Sequence, residues 1–203
     1  MEGANEESMK EIVHIIPLDH EIDSAVRPFD ELKANRVYLL AATETFGKYS
    51  EEMIERQKYY LNIVKEKLEE KGIQVQSCNI DISNLVQMME KVAEIIREEK
   101  ERNNLVYVNI SASGRFDSAG TTIAAMYGGA IVYYVLADRY SENAEEMKKH
   151  GINICTNLRL RYLLDFQMLL PDDPSEKSFL ATYYLKQKTK KVAKTEKGDT
   201  LRE

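Results

Sequence analysis

The chain has 203 residues and a mass of 23.4 kDa, room for one α/β domain with an appendage but not for two full catalytic domains. Apolar residues make up 43%, charged residues 31%, and the formal net charge is −6; that supports a core, excludes wholesale disorder, and argues against a protein that coats DNA over its whole surface. Only two cysteines, Cys78 and Cys155, are present, which excludes a disulfide scaffold and a cysteine-built zinc site and fits a reducing cytoplasm.

Met1 to Glu11 is polar and acidic, unlike a signal peptide. No apolar run approaches the roughly 18 residues needed to span a bilayer, so a soluble cytoplasmic protein is expected. Residues 11–17 (Glu-Ile-Val-His-Ile-Ile-Pro) read as a first strand. A helix is expected over Glu21 to Ala34, with Ile22, Val26, Phe29 and Leu32 at helical spacing and Pro28 kinking it or starting its second part. Residues 36–42 form a nearly continuous apolar strand, as expected where both faces of a sheet are covered.

A polar loop, 43–50, leads into a long helix with Tyr60, Ile63, Val64 and Leu68 as its buried stripe and Gly72 as its C-cap. Residues 73–78 alternate like a strand with one wet face, which suits a sheet edge. A helix over 84–103 turns Leu85, Met88, Val92 and Ile95 inward and leaves a Glu/Lys/Arg face to solvent. Residues 105–111 are the fourth strand. After Ser111-Ala-Ser-Gly-Arg115, a small-residue helix is expected over 118–127, closed by Gly128-Gly129. Residues 130–136 are the fifth strand, and 152–155 a weaker sixth.

This alternation predicts an α/β, Rossmann-like, mainly parallel sheet of five to six strands with helices on both faces, over residues 1–170. Residues 171–203 form the appendage. Pro171-Asp-Asp-Pro174 breaks the chain, a short helix follows through Tyr184, and a basic tail ends it. Residues 186–203 carry seven Lys/Arg against three Asp/Glu, a surplus of +4 that leaves −10 on the rest. Such a tail reads as a solubilising or frayed end, or as a linker to a partner or to nucleic acid.

In an open α/β sheet, ligands bind beyond the carboxyl ends of the strands, where strand order reverses. A 3-2-1-4-5 order puts that point between strands 1 and 4, at loops 17–23 and 111–115. The second loop offers hydroxyls, a glycine and amides entering a helix N-terminus, which suits an anion, and Arg115 adds a charge-assisted donor. A strand-to-helix turn that simply needs small residues is the alternative. The chain has no G-x-G-x-x-G and no Walker A pattern. His14 reads as core or sheet surface and His150 as a helix end. His20, beside Asp19 and Glu21, lacks a second histidine at ligand spacing, so no metal and no cofactor are expected.

The first strand with its Asp19/His20 loop, residues 33–40, and above all Val106-Tyr-Val-Asn-Ile-Ser-Ala-Ser-Gly-Arg115 followed by Ala119-Gly-Thr121, resemble CARF (CRISPR-associated Rossmann fold) domains. The likeness is greatest to archaeal members that carry a C-terminal winged helix and resemble transcription regulators. The resemblance covers about residues 10 to 170. It implies a homodimer that binds a cyclic oligoadenylate across its two-fold, with a regulatory role in CRISPR-linked antiviral defence or transcription. By position, Leu18, Asp19, His20 and Glu21 would line the first loop. Ser111, Ala112, Ser113, Gly114 and Arg115 would line the second, with Thr121 and Thr122 further along the helix and Asn109 bracing from the strand. The turn reads Ser-Ala-Ser-Gly-Arg where many CARF domains have a T-G-G-[TK]-like one. Carboxylates in the first loop can accept hydrogen bonds from adenine amino groups.

The alternative activity implied is that of a ring nuclease, metal-independent, in which a ribose 2′-hydroxyl attacks the adjacent phosphate. Ser113, Arg115 and His20 are then the catalytic candidates. The 29 residues after Pro174 are too few for a winged helix, so DNA contact is expected only through a missing or separate output module. Tyr133, Tyr134 and the Met126/Tyr127 helix end are candidates for a dimer face or simply for core.

Overall fold

The computed structural model describes residues 10–163. Five strands run parallel: β1 (Ile12–Pro17), β2 (Arg36–Ala41), β3 (Gln74–Asn79), β4 (Leu105–Asn109) and β5 (Ile131–Val135). β8 (Leu160–Tyr162) adds antiparallel to β5, and the order across the sheet is β3-β2-β1-β4-β5-β8. The strand order therefore reverses between β1 and β4, where a 3-2-1-4-5 order puts it, and the half-exposed β3 is an edge.

Alternation along the central strands builds two cores. Val13, Ile15, Tyr38 and Leu40 pack against α3 (Leu85–Glu101) and α4 (Arg115–Gly128) through Met88, Val92, Ile95, Ala124 and Ala125. Ile16, Val37 and Leu39 pack on the other face against α2 (Glu51–Glu70), through Leu61, Val64 and Leu68, and against α1 (Asp23–Val26), through Ala25 and Val26. The small residues of α4 let α3 come close: a Cβ on Gly120 would lie 2.5 Å from Leu85 Cδ1. His14 belongs to the core. Its ring stacks on Tyr107 at 4.8 Å, Nδ1 lies 3.1 Å from the Tyr133 hydroxyl, and burial pushes its pKa down to about 4, so it is neutral.

Three expectations are corrected. The helix over 21–34 is one turn, α1, followed by a 3-10 turn at Arg27–Asp30, because Pro28 supplies no N–H to continue it. The helix expected from Ser118 starts at Arg115, and the Ser118 hydroxyl bonds back to the Gly114 carbonyl at 2.9 Å. The sixth strand of the sheet is β8 rather than 152–155. That segment instead contributes β7 (Asn153–Ile154) to a separate two-stranded pair with β6 (Arg139–Tyr140), joined through α5 (Ala144–His150). The boundary at 170, the helix after Pro174 and the basic tail lie outside the described residues. Among the described residues, no helix is long and apolar enough to cross a membrane.

The amino end of the sheet is tied by Glu99 of α3, which is fully buried. It accepts from Arg36 Nη1 at 2.7 Å, Arg102 Nη1 at 2.8 Å, Asn104 Nδ2 at 2.7 Å and the Tyr38 hydroxyl at 2.5 Å. Burial alone would raise its pKa. The Tyr38 and Asn104 hydrogen bonds and the two guanidinium charges outweigh burial and hold it below the usual glutamate range. Removing one member of such a network strands the others, at about 3–5 kcal/mol. Glu99→Ala should therefore lose stability of that order in urea unfolding at pH 7, and wild type should lose part of this contribution as pH falls through the lowered pKa.

Candidate functional site

Two loops meet at the carboxyl edge where the order reverses. β1 ends in Pro17, which has no N–H to donate. The next two amides then diverge: Leu18 N–H donates to Leu40 O and Asp19 N–H to Ala112 O, both at 2.8 Å. The loop after β1 is thereby joined to β2 on one side and to the turn after β4 on the other. The Gln57 side chain of α2 donates to Leu18 O at 2.8 Å and pins it from the helix layer.

The predicted residues divide by the work they do. Leu18 and Ala112 are fully buried and serve through their backbone. Asn109 is also fully buried: its Oδ1 accepts the Ser111 amide at 2.9 Å and the Ser111 hydroxyl, and its Nδ2 donates to Ser24 O at 2.9 Å. The Ser111 hydroxyl also accepts from the Val135 amide at 3.1 Å. Asn109 and Ser111 thus set the shape of the turn. Half-buried Ser113 pairs its hydroxyl with that of Ser118 at 3.2 Å. Gly114 is the N-cap of α4, and Arg115, its first residue, is exposed. Thr122 bonds to Ser118 O at 2.6 Å. Asp19 and His20 are half-buried neighbours, Oδ1 to Nε2 3.6 Å, and the His20 ring lies 5.1 Å from that of Tyr60.

Glu21 turns the other way. Its carboxylate accepts from Ser24 Oγ at 3.0 Å, the Asn153 amide at 3.1 Å and Asn153 Nδ2. The backbone follows, with Ile22 N–H to His150 O at 3.2 Å and Ile152 N–H to His20 O at 3.0 Å. Asp23 receives the Cys155 amide and His150 Nδ1, both at 3.1 Å. The approach is close enough to require glycine: Gly151 has φ +83°, and a Cβ there would lie 2.6 Å from Ile22 N. Glu21 and Asp23 therefore fasten the loop to the 150–155 segment.

Asp117 was absent from the sequence-derived site. It is buried at position N3 of α4, and its carboxylate takes the Gly114 amide, the reciprocal half of a capping box. The spacing Gly114-x-x-Asp117 was the available signal. Burial, then the nearby Asp19 charge, raise its pKa to about 6. Between α2 and α5, a cleft of about 420 Å³ is lined by Arg56, Tyr59, Tyr60, Ala144, Met147 and Lys148. Among the described residues, no three His, Cys, Asp or Glu side chains gather around a possible cation.

With this geometry the chain matches the family described as HFX_2341_N:-like, N-terminal, over residues 12–140. No curated protein matches it. Among solved structures it is similar to Enterococcus italicus Csm6 bound to cyclic hexa-2′-fluoro-hexa-dAMP, at 10% identity and a TM-score of 0.56, over 78% of this chain and 44% of that one. It is also similar to Can2 from Sulfobacillus thermosulfidooxidans in complex with cyclic tetra-adenylate (14% identity, TM-score 0.48, 63% of this chain and 32% of that one). A third is protein VC1899 from Vibrio cholerae (12%, 0.49, 62% and 30%). At such identity the Csm6 likeness is one of fold, and the chain spans less than half the length of each of these proteins.

Burial, partly offset by the Asn153 and Ser24 hydrogen bonds, raises Glu21 to about 7. A carboxyl whose pKa is higher folded than unfolded favours the folded state at low pH and loses that contribution as pH rises through 7. Glu21→Gln should therefore flatten the dependence of stability on pH between 5 and 8. In chemical unfolding the variant should gain on wild type by roughly 1–3 kcal/mol across that window.

Proposed function

The chain belongs to the HFX_2341_N:-like, N-terminal family, and we propose that it is a CARF-type sensor that binds a cyclic oligoadenylate at the carboxyl edge of its sheet, in a pocket completed by a second copy. The observation that carries this reading is the Asp19–Ala112 backbone bond, which sets the two loops side by side at the strand-order reversal. Exposed Arg115 and the turn amides suit phosphates, and Asp19 suits adenine amino groups. Support also comes from the fold shared with Csm6, a protein seen bound to a cyclic hexanucleotide. The regulatory role, in CRISPR-linked defence or transcription, follows from the same reading.

Binding is the leading reading and ring cleavage the alternative: the Ser113 hydroxyl is engaged by Ser118, while the Asp19–His20 pair keeps a proton acceptor at the site. Isothermal calorimetry with cyclic tetra- and hexa-adenylate tests the reading. Micromolar or tighter binding of one ring, weakened at least tenfold by Arg115→Ala with the ring recovered intact, is the expected result; no heat with either ring contradicts it.

The second copy is assigned to the outer face of α4. Tyr133 is fully buried and bonds to His14, so it is core. Phe116, Ile123 and Tyr127 stand on one stripe of α4, with Phe116 61% and Tyr127 84% exposed, and Val86 of α3 is exposed as well. Apolar side chains this exposed along one helix face suit a partner surface. Light scattering should give twice the chain mass for wild type and the chain mass for Ile123→Arg/Tyr127→Arg, with the circular dichroism spectrum unchanged. A wild-type monomer at all concentrations contradicts the shared pocket.

A further inference from the structure

The helix end that faces the proposed ligand is already in use. Gly114 donates its amide to the Asp117 carboxylate, and the two lie so close that a Cβ on Gly114 would sit 3.2 Å from Asp117 Oδ2. Asp19 faces Asp117 from the loop after β1. Asp81 faces it from beyond β3 and is itself held by Lys48 at 2.8 Å and Tyr49 at 2.7 Å. On the helix, Arg115 is exposed and Asp117 is not. A phosphate reaching the 111–115 turn thus meets a carboxylate that holds the amide it needs, with other carboxylates nearby. Asp117 accepts a proton near pH 6, which places relief of that repulsion within reach of ordinary conditions.

A separate observation lies one turn along. Thr121 is fully buried, and its hydroxyl has no hydrogen-bond partner among the described residues. Its neighbour Thr122, by contrast, bonds back to Ser118 O as helix threonines do. Residues four apart share one helix face, which puts the unused Thr121 hydroxyl one turn along α4 from Asp117.

We propose that Asp117 is a positioning residue that gates the phosphate: it caps α4 in the free protein, and on ligand binding it takes a proton from solvent, yields the Gly114 amide and turns to the Thr121 hydroxyl. This rests on the cyclic-oligoadenylate reading of the same site. Binding then consumes close to one proton at pH values above that of the free carboxyl, and affinity falls about tenfold per pH unit there. Glu21 titrates in a neighbouring range, but it faces Asn153, and any dependence due to it survives removal of Asp117.

The test is calorimetric titration of the full chain with cyclic tetra- and hexa-adenylate from pH 5.5 to 8, in buffers of two ionisation enthalpies. Wild type should take up a proton and weaken with pH. Asp117→Asn should bind more tightly than wild type at pH 8 and with little pH dependence. Thr121→Val should bind more weakly while its thermal midpoint stays level or rises, a split that a merely structural hydroxyl would not produce. Wild-type binding without pH dependence, or the same dependence in Asp117→Asn, overturns the gate and leaves the ligand reading intact. No binding by any variant at any pH overturns both.

Discussion

At 2.8 Å, the hydrogen bond from the Asp19 amide to the Ala112 carbonyl joins the two loops that leave the sheet where its strand order reverses. Regular pairing of β1 with β4 ends at Ile15↔Val108, and Pro17 contributes no donor of its own. The bond therefore extends the sheet by one rung into irregular chain. The turn after β4 reaches that rung in a fixed shape because Asn109, buried at the strand end, binds the Ser111 amide and hydroxyl and reaches across to Ser24. The Asp19–Ala112 bond gives the loop carrying Asp19 and His20 a direct backbone link to the turn after β4.

The carboxylates around this rung have separate duties. Glu21 and Asp23 are spent on the 150–155 segment, through Asn153, Cys155 and His150. Asp81 is spent on Lys48, Tyr49 and Ser83. The acidity of the first loop, which looks hostile to a polyanion in one dimension, is therefore largely turned away from the turn after β4. What remains there is Asp19, beside His20, and Asp117 on the end of α4. Local charge at the site depends on these two far more than on the net −6 of the chain.

The parallel strands were legible because both faces of β1 and β2 are covered, so each reads as an unbroken apolar run. The edge position of β3 was legible from its alternation. The 139–155 segment was not. Its strands have two residues each and its helix seven, too short for any periodicity to register. The site was legible as two loops but not as individual roles. Nothing local tells that Glu21 has its partner at Asn153, because that contact spans 132 positions. Asp117 was missed for a different reason: its capping role follows from where α4 begins, and the helix starts three residues earlier than its small-residue pattern suggests. Thr121 read as a ligand contact, yet it is sealed inside the helix layer.

Amide hydrogen exchange, resolved to short peptides, with and without saturating cyclic tetra- or hexa-adenylate, reads the two loops directly. Protection on binding should concentrate in residues 18–21 and 111–117 together, since the Asp19–Ala112 bond makes them one cradle. Protection confined to the cleft around Arg56, Tyr59 and Lys148, or to one of the two loops without the other, would contradict it.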